Sequence, residues 1–281
     1  MRSIYLRDDL AELWQGLDPF AEAFAATGDV ARDMTSRQTL RVDLGGRSYY
    51  LKRHFGVGWG EIVKNWLTGK RPVVDASNEY RASEALQAAG IDALPVAGFG
   101  VRGRNPATRE SFPITDDLEP AVSLETLCVG WPESPPSPAV KRELIERVAG
   151  VARTMHGIGI NHNDFYLCHF LLRGEAPDPL KSPLHLIDLH RAEQRDAVPR
   201  RWLVKDLAGL YHSAMDVGLT QRDLLRFLKR YFDLPLREIT AEHGGLLQQV
   251  NTRAQAQYDK ARAKGILPRQ VAGLPLSGRL V

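Results

Sequence analysis

The sequence predicts an α+β fold in two lobes: a small β-rich N-terminal lobe with one key helix, and a larger, mainly helical C-terminal lobe. Three observations carry this. Strand-like segments dominate the first 118 residues, a connector rich in proline and serine (Trp131 to Pro138) interrupts the chain, and helical periodicity fills most of the remaining length. The expected boundaries are 1–118, 119–265 and a loose tail over 266–281, where glycine and proline recur.

After a short amphipathic opening, strands are expected at Asp29–Met34, Thr39–Leu44 and Ser48–Lys52, the last two joined by a two-residue turn at Gly45-Gly46. A helix comes next over Ser77–Ala89, capped by Asp75 or Ser77 and stopped by Gly90. Strands return at Pro95–Val101 and Ser111–Leu118. Beyond the connector, Val140, Leu144, Ile145, Val148, Val151, Ala152 and Met155 lie on one face of a long helix with Pro138 in its first turn. Further helices are expected over Lys205–Val217, Thr220–Tyr231 and about Ala241–Lys264.

A chain of 281 residues, 43% apolar and 25% charged, can bury a sizeable core. The net charge of +3 is too small to mark a nucleic-acid binder by itself. The two cysteines, Cys128 and Cys168, have no metal-type spacing and are expected to be reduced. No run of 18 apolar residues occurs, and the opening turns acidic at Asp8-Asp9 where a signal peptide needs an apolar region, so a cytoplasmic location is expected.

The segment His162-Asn163-Asp164-Phe165-Tyr166-Leu167-Cys168-His169 carries the chemistry. A phosphotransfer loop needs a carboxylate to orient and deprotonate an acceptor hydroxyl, and a metal-side group five positions later; Asp164 and His169 have that spacing. Asp188, 24 residues on at the end of the apolar strand Leu184–Leu189, is placed to carry Mg²⁺ against nucleotide phosphates. Lys52 ends the third strand where a kinase keeps its phosphate-contacting lysine, and Glu79 stands on the next helix where the ion-pair partner belongs. Alone, either would be an ordinary surface charge; in this order they support a kinase site. Asp206 is expected to hold the backbone of the catalytic loop. Arg191, Arg195 and Arg201, in a segment with ten basic against six acidic residues, are candidates for binding an acidic acceptor.

Other patterns read differently. Gly98-Phe99-Gly100-Val101-Arg102-Gly103 matches a dinucleotide fingerprint, but Arg104-Asn105-Pro106 comes next instead of a helix, so a hairpin is expected. Gly56 to Gly60 reads as a loop after the Lys52 strand. The segment that would cover the nucleotide, Thr35 to Gln38, contains no glycine, which leaves a catalytically weak kinase-like binding module as a second reading. Four of the eight histidines, His162, His169, His185 and His190, fall within 29 residues, so an iron-dependent oxygenase built on His162, Asp164 and His185 or His190 is a third. His156 reads as a satisfied core histidine.

Over residues 10 to 265 the chain resembles the bacterial lipopolysaccharide core heptose(I) kinases. The resemblance rests on His162 to Leu172, on Leu186-Ile187-Asp188-Leu189-His190-Arg191-Ala192, and on Arg201-Trp202 with Lys205-Asp206-Leu207-Ala208, together with Tyr50-Leu51-Lys52 and Gly56 to Lys64. It implies a eukaryotic-like kinase fold and ATP-dependent phosphorylation of the first heptose of the inner core, on a lipid-linked acceptor at the cytoplasmic face of the inner membrane. It also implies acyl carrier protein as a partner. By position it gives Asp164 the role of base with His162 beside it in the catalytic loop, places Asp188 and His169 on the metal side, and makes Lys52 with Glu79 the ion pair of the nucleotide lobe. Asn163 departs from the family pattern, which has arginine there, and so removes the usual basic neighbour of the base.

Overall fold

The computed structural model describes residues 2–34, 36–67 and 72–266. The chain runs β1 (Arg2–Leu6), α1 (Asp8–Leu13), α2 (Pro19–Ala25), β2 (Asp29–Met34), β3 (Arg37–Leu44), β4 (Arg47–His54), α3 (Gly58–Leu67), α4 (Ser77–Ala88), β5 (Val96–Arg102), β6 (Glu110–Asp116), β7 (Ala121–Ser123) and α5 (Leu124–Cys128). It continues α6 (Pro138–Gly157), β8 (Ile160–Asn161), β9 (Phe170–Arg173), β10 (Leu184–Leu186), β11 (Glu193–Gln194), α7 (Arg200–Ala214), α8 (Gln221–Phe232) and α9 (Leu236–Ala263).

Six strands form one antiparallel sheet in the order β1-β5-β6-β4-β3-β2. The β3–β4 hairpin turns on Gly45 and Gly46, both at positive φ as such a two-residue loop requires. The strands themselves alternate: Leu40 and Val42 on β3, with Tyr49 and Leu51 on β4, bury into a core with Leu10, Trp14, Phe20, Phe112 and Ile114. The glycines at 98, 100 and 103 do lie on a hairpin, β5 to β6. Gly100 is there because a Cβ would stand 2.4 Å from the ring of Phe112.

Local signals place most elements within a few residues. β1, α1, α2 and α3 escape them, as do the short elements β7, α5, β8, β9 and β11. β1 pairs with β5 across about a hundred residues, and α1 and α2 are one or two turns long, too short for a periodic pattern to register. Gly56 to Gly60 is only partly the expected loop, since α3 begins at Gly58. The helix expected from Lys205 begins instead at Arg200, just after Pro199; its first turn, Arg200-Arg201-Trp202, carries no apolar stripe to reveal it. The tail, apart from Ile266, lies outside the described residues.

The helical lobe has its own, larger core, in which α6 contributes Leu144, Val148, Ala149, Ala152 and Met155 and α7 contributes Leu207, Ala208 and Leu210. Ser137 caps α6 through the Val140 amide, and Thr220 with Asp223 forms a capping box on α8. The helix α4 links the lobes: Ala82 and Leu86 pack into the helical core, while Glu79, one turn earlier, reaches back to the sheet. Between the lobes lies a cleft of about 400 Å³.

Candidate active site

The cleft is lined from above by Arg37, Thr39, Tyr50 and Lys52, and from below by Cys168, His169, Leu171, Ile187 and Asp188. Lys52, mid-strand on β4, extends its Nζ to within 2.5 Å of Glu79 Oε1, and both side chains are largely withdrawn from water. So Lys52 and Glu79, 27 residues apart in sequence, meet at the cleft roof.

The loop after β8 is fixed by Asp206, whose side chain is fully buried. Its carboxylate accepts the His162 amide at 2.6 Å and the Asn163 amide at 2.9 Å. His156, buried on α6, stands 3.4 Å from the same carboxylate through Nε2 and 2.8 Å from the Tyr231 hydroxyl through Nδ1. Two backbone donors that would otherwise be orphaned are thereby satisfied, and Asn163 is held in the left-handed region at φ 74°. The turn presents Asp164 at the surface of the loop.

Sequence places His162 beside the base as a catalytic group. Its ring is instead wholly buried, Nε2 lies 2.9 Å from the Ile187 carbonyl, and the ring stacks on His169 with centroids 5.5 Å apart. Burial lowers its pKa, so the ring is neutral, donating to Ile187 through Nε2 and accepting the Asp164 amide at Nδ1. This corrects the expectation: His162 positions the loop and cannot touch a substrate.

His169 bridges the two acidic segments. Its Nδ1 lies 2.6 Å from the Asp164 carbonyl, which fixes Nδ1 as a donor, and its Nε2 stands 3.5 Å from Asp188 Oδ2. Asp188 lies just past β10 rather than ending it, at φ 62°. Burial opposes its ionisation, but the 2.5 Å hydrogen bond from His190 and the charges of His190, Lys52 and His169 outweigh this and hold its carboxyl well below the usual carboxylate range. The ionised Asp188 carboxylate suits Mg²⁺, which is held by one or two carboxylates and fills the rest of its shell with phosphate and water; the His169 imidazole is the softer neighbour beside it.

The iron reading fails on this geometry. His162 spends Nε2 on Ile187, His185 sits on β10 among the core strands, and no three metal-type side chains gather among the described residues.

Around Asp164 the structure adds partners that sequence does not assign. Arg191 Nη1 lies 2.9 Å from each carboxylate oxygen, while Asn163 donates through Nδ2 to the Arg191 carbonyl at 2.7 Å and accepts from Lys205 Nζ at 2.9 Å. The only sequence clue is the arginine missing at 163, which requires a cation from elsewhere. The other two arginines expected at the acceptor are otherwise engaged: Arg195 bonds Asn161 Oδ1 and pairs with Glu193, and Arg201 stacks over Trp202 at 4.9 Å, outside the cavity beside Asp164. Arg37 in the cleft roof also escapes a reading of the sequence, because a strand-start arginine carries no pattern of its own.

Comparison with known proteins identifies the family. The family described as "Lipopolysaccharide kinase (Kdo/WaaP) family" matches residues 21–231. The chain is 46% identical over 267 residues to the lipopolysaccharide core heptose(I) kinase WaaP of Pseudomonas aeruginosa, covering 94% of this chain and 99% of that one. It is 47% identical over 266 residues to the WaaP of Escherichia coli K12, covering 94% and 100%. A solved structure described as WaaP in complex with acyl carrier protein superposes with a TM-score of 0.79 at 41% identity, over 91% of this chain and 99% of that chain. A kinase cleft with its ion pair, its fixed loop carboxylate and its second acid, together with a family match over most of the length, leads to one statement: this chain is a member of the lipopolysaccharide kinase (Kdo/WaaP) family.

Proposed function

We propose that the protein transfers the γ-phosphoryl group of ATP to a hydroxyl of the first heptose of the lipopolysaccharide inner core. One observation carries the chemistry: Asp164, on a loop pinned by Asp206, is tied through His169 to Asp188, which lines the cleft together with Lys52 of the Lys52–Glu79 pair. In this reading the acceptor hydroxyl gives its proton to Asp164 as its oxygen bonds to the γ-phosphorus, the bond from that phosphorus to the β-γ bridging oxygen breaks, and ADP departs. Lys52 neutralises phosphate oxygens, and Glu79 aims it. Asp188, with His169, would hold Mg²⁺, which supplies charge neutralisation on the phosphates. Most of the rate then comes from positioning and electrostatics.

The test is transfer from ATP labelled at the γ-phosphate to core lipopolysaccharide lacking the heptose phosphate. Label on the first heptose with the wild type, and none with Asp164→Asn, is the expected outcome; Mg²⁺-dependent ATP binding without transfer to any core acceptor would favour the binding-module reading.

Acyl carrier protein belongs to the same proposal. An apolar cavity of about 290 Å³ in the helical lobe, walled by Leu124, Cys128, Leu144, Val148, Leu210 and Phe227, suits an acyl chain. Copurification of acylated but not unacylated carrier protein would support it. A lipid-linked acceptor also calls for a peripheral contact with the cytoplasmic face of the inner membrane. Among the described residues no helix is long and apolar enough to cross a membrane, while α3 turns Trp59, Val63 and Trp66 outward at the spacing of an interfacial helix. Sedimentation with anionic vesicles, lost in the Trp59→Ser, Trp66→Ser double variant, checks this contact.

A further inference from the structure

A smaller cavity, of about 190 Å³, opens beside the catalytic loop, lined by Asn163, Arg191, Glu193, Trp202, Lys205 and Arg253 among others. Its charge is one-sided. Glu193 is already paired with Arg195, and Arg191 reaches Asp164, but among the described residues neither Lys205 nor Arg253 has a carboxylate within ion-pair distance. Lys205 is also held below the usual lysine range, first by burial and then by the charge of Arg191, with Arg253 adding to this against the opposing pull of Asp164 and Asp206. A group of cations that disfavour one another is what an anion relieves. Trp202, whose ring lies under the Lys205 ammonium at 5.4 Å, adds a buried indole N–H with no acceptor.

We propose that Arg253, Lys205 and Arg191, with Trp202 as a wall, form a subsite for an anionic group of the acceptor, a carboxylate or a phosphate, carried next to the hydroxyl that Asp164 serves. The cavity is smaller than the ~300 Å³ of an ordinary ligand pocket, so it suits one substituent of a large acceptor and not the acceptor as a whole. This rests on the kinase reading above. The anion would set the register in which a branched saccharide enters, since Asn163 ties Lys205 and Arg191 directly to the turn that carries the base.

Arg253 is the residue to change, because it is exposed on α9 and its removal leaves the core intact. Arg253→Met is expected to raise the acceptor KM about 10- to 100-fold, the worth of a charge-assisted hydrogen bond, with the KM for ATP unmoved and partial recovery in Arg253→Lys. Two modified acceptors separate the sources. If reducing the acceptor carboxylates to alcohols brings wild type and Arg253→Met together, the anion is a carboxylate; if removing the acceptor phosphates does so, it is a phosphate. An unchanged acceptor KM in Arg253→Met, or a penalty that persists on both modified acceptors, overturns the subsite. Should the wild type transfer nothing to core acceptors, the kinase reading fails separately, and the subsite is then judged by the Trp202 indole N–H resonance. A saturating shift with inorganic phosphate or acetate that weakens in Arg253→Met supports it, and no shift rejects it.

Discussion

Arg191 Nη1 stands 2.9 Å from both carboxylate oxygens of Asp164, so the cation that Asn163 fails to supply comes from 27 residues further along the chain. The contact aligns the carboxylate without burying it. Asp164→Asn should lose about 10²- to 10⁴-fold in kcat with ATP binding retained. Arg191→Met should lower kcat by roughly ten- to a hundredfold, and Arg191→Lys, which keeps the cation but not the guanidinium that places Nη1 between the two oxygens, should recover part of that. Steady-state rates for the three variants decide it. Full activity in Arg191→Met would mean that the contact is decorative.

The Lys52–Glu79 pair makes an asymmetric prediction. Glu79 is almost fully buried, and its Oε2 has no hydrogen-bond partner, whereas Lys52 faces the cleft. Removing the lysine strands a buried carboxylate, which costs up to about 3–5 kcal/mol, while Glu79→Gln leaves a cation that water or phosphate can reach. Lys52→Met is therefore expected to unfold at lower urea concentration than Glu79→Gln, with both variants weaker for ATP. Equal midpoints would refute the asymmetry.

Asp206 gathers two backbone amides that nothing else can reach. In Asp206→Ala each orphaned donor costs about 1–3 kcal/mol, and the loop carrying Asp164 loses its fixed turn. Asp206→Asn keeps one oxygen and should fall between the wild type and Asp206→Ala. Hydrogen exchange at the His162 and Asn163 amides offers a direct readout: protection in the wild type, and rapid exchange in Asp206→Ala.

His54, at the end of β4, is buried with Nε2 unpaired, and desolvation pushes its pKa down to about 4. The unfolded chain takes up this proton near pH 6.5, the folded chain only near 4. The contribution is thus whole above pH 6.5 and shrinks as the pH falls toward 4, by on the order of 3 kcal/mol. Between pH 7 and 5 the wild type should lose more unfolding free energy than His54→Gln. Parallel pH dependence in the two proteins would remove His54 as the cause.

Much of this molecule can be read from the chain alone. The strands β2 to β6 and the helices α4, α6, α8 and α9 announce themselves because side-chain alternation, helical stripes, caps and glycine turns act over a few residues. The spacing of Asp164, His169 and Asp188 and the order of Lys52 and Glu79 likewise point to a kinase, since the geometry of phosphoryl transfer constrains which residue types come in which order.

Relationships without a local signature needed the tertiary structure. The pairing of β1 with β5, the burial of His162 against Ile187, the diversion of Arg195 to Glu193, and the convergence of Arg191, Lys205 and Arg253 on one cavity each join residues that are remote in sequence or indistinguishable by type. An arginine looks the same in a sequence whether it is solvated, paired or aimed at a substrate. Its surroundings are set by which elements pack together, and that is decided by the whole core at once.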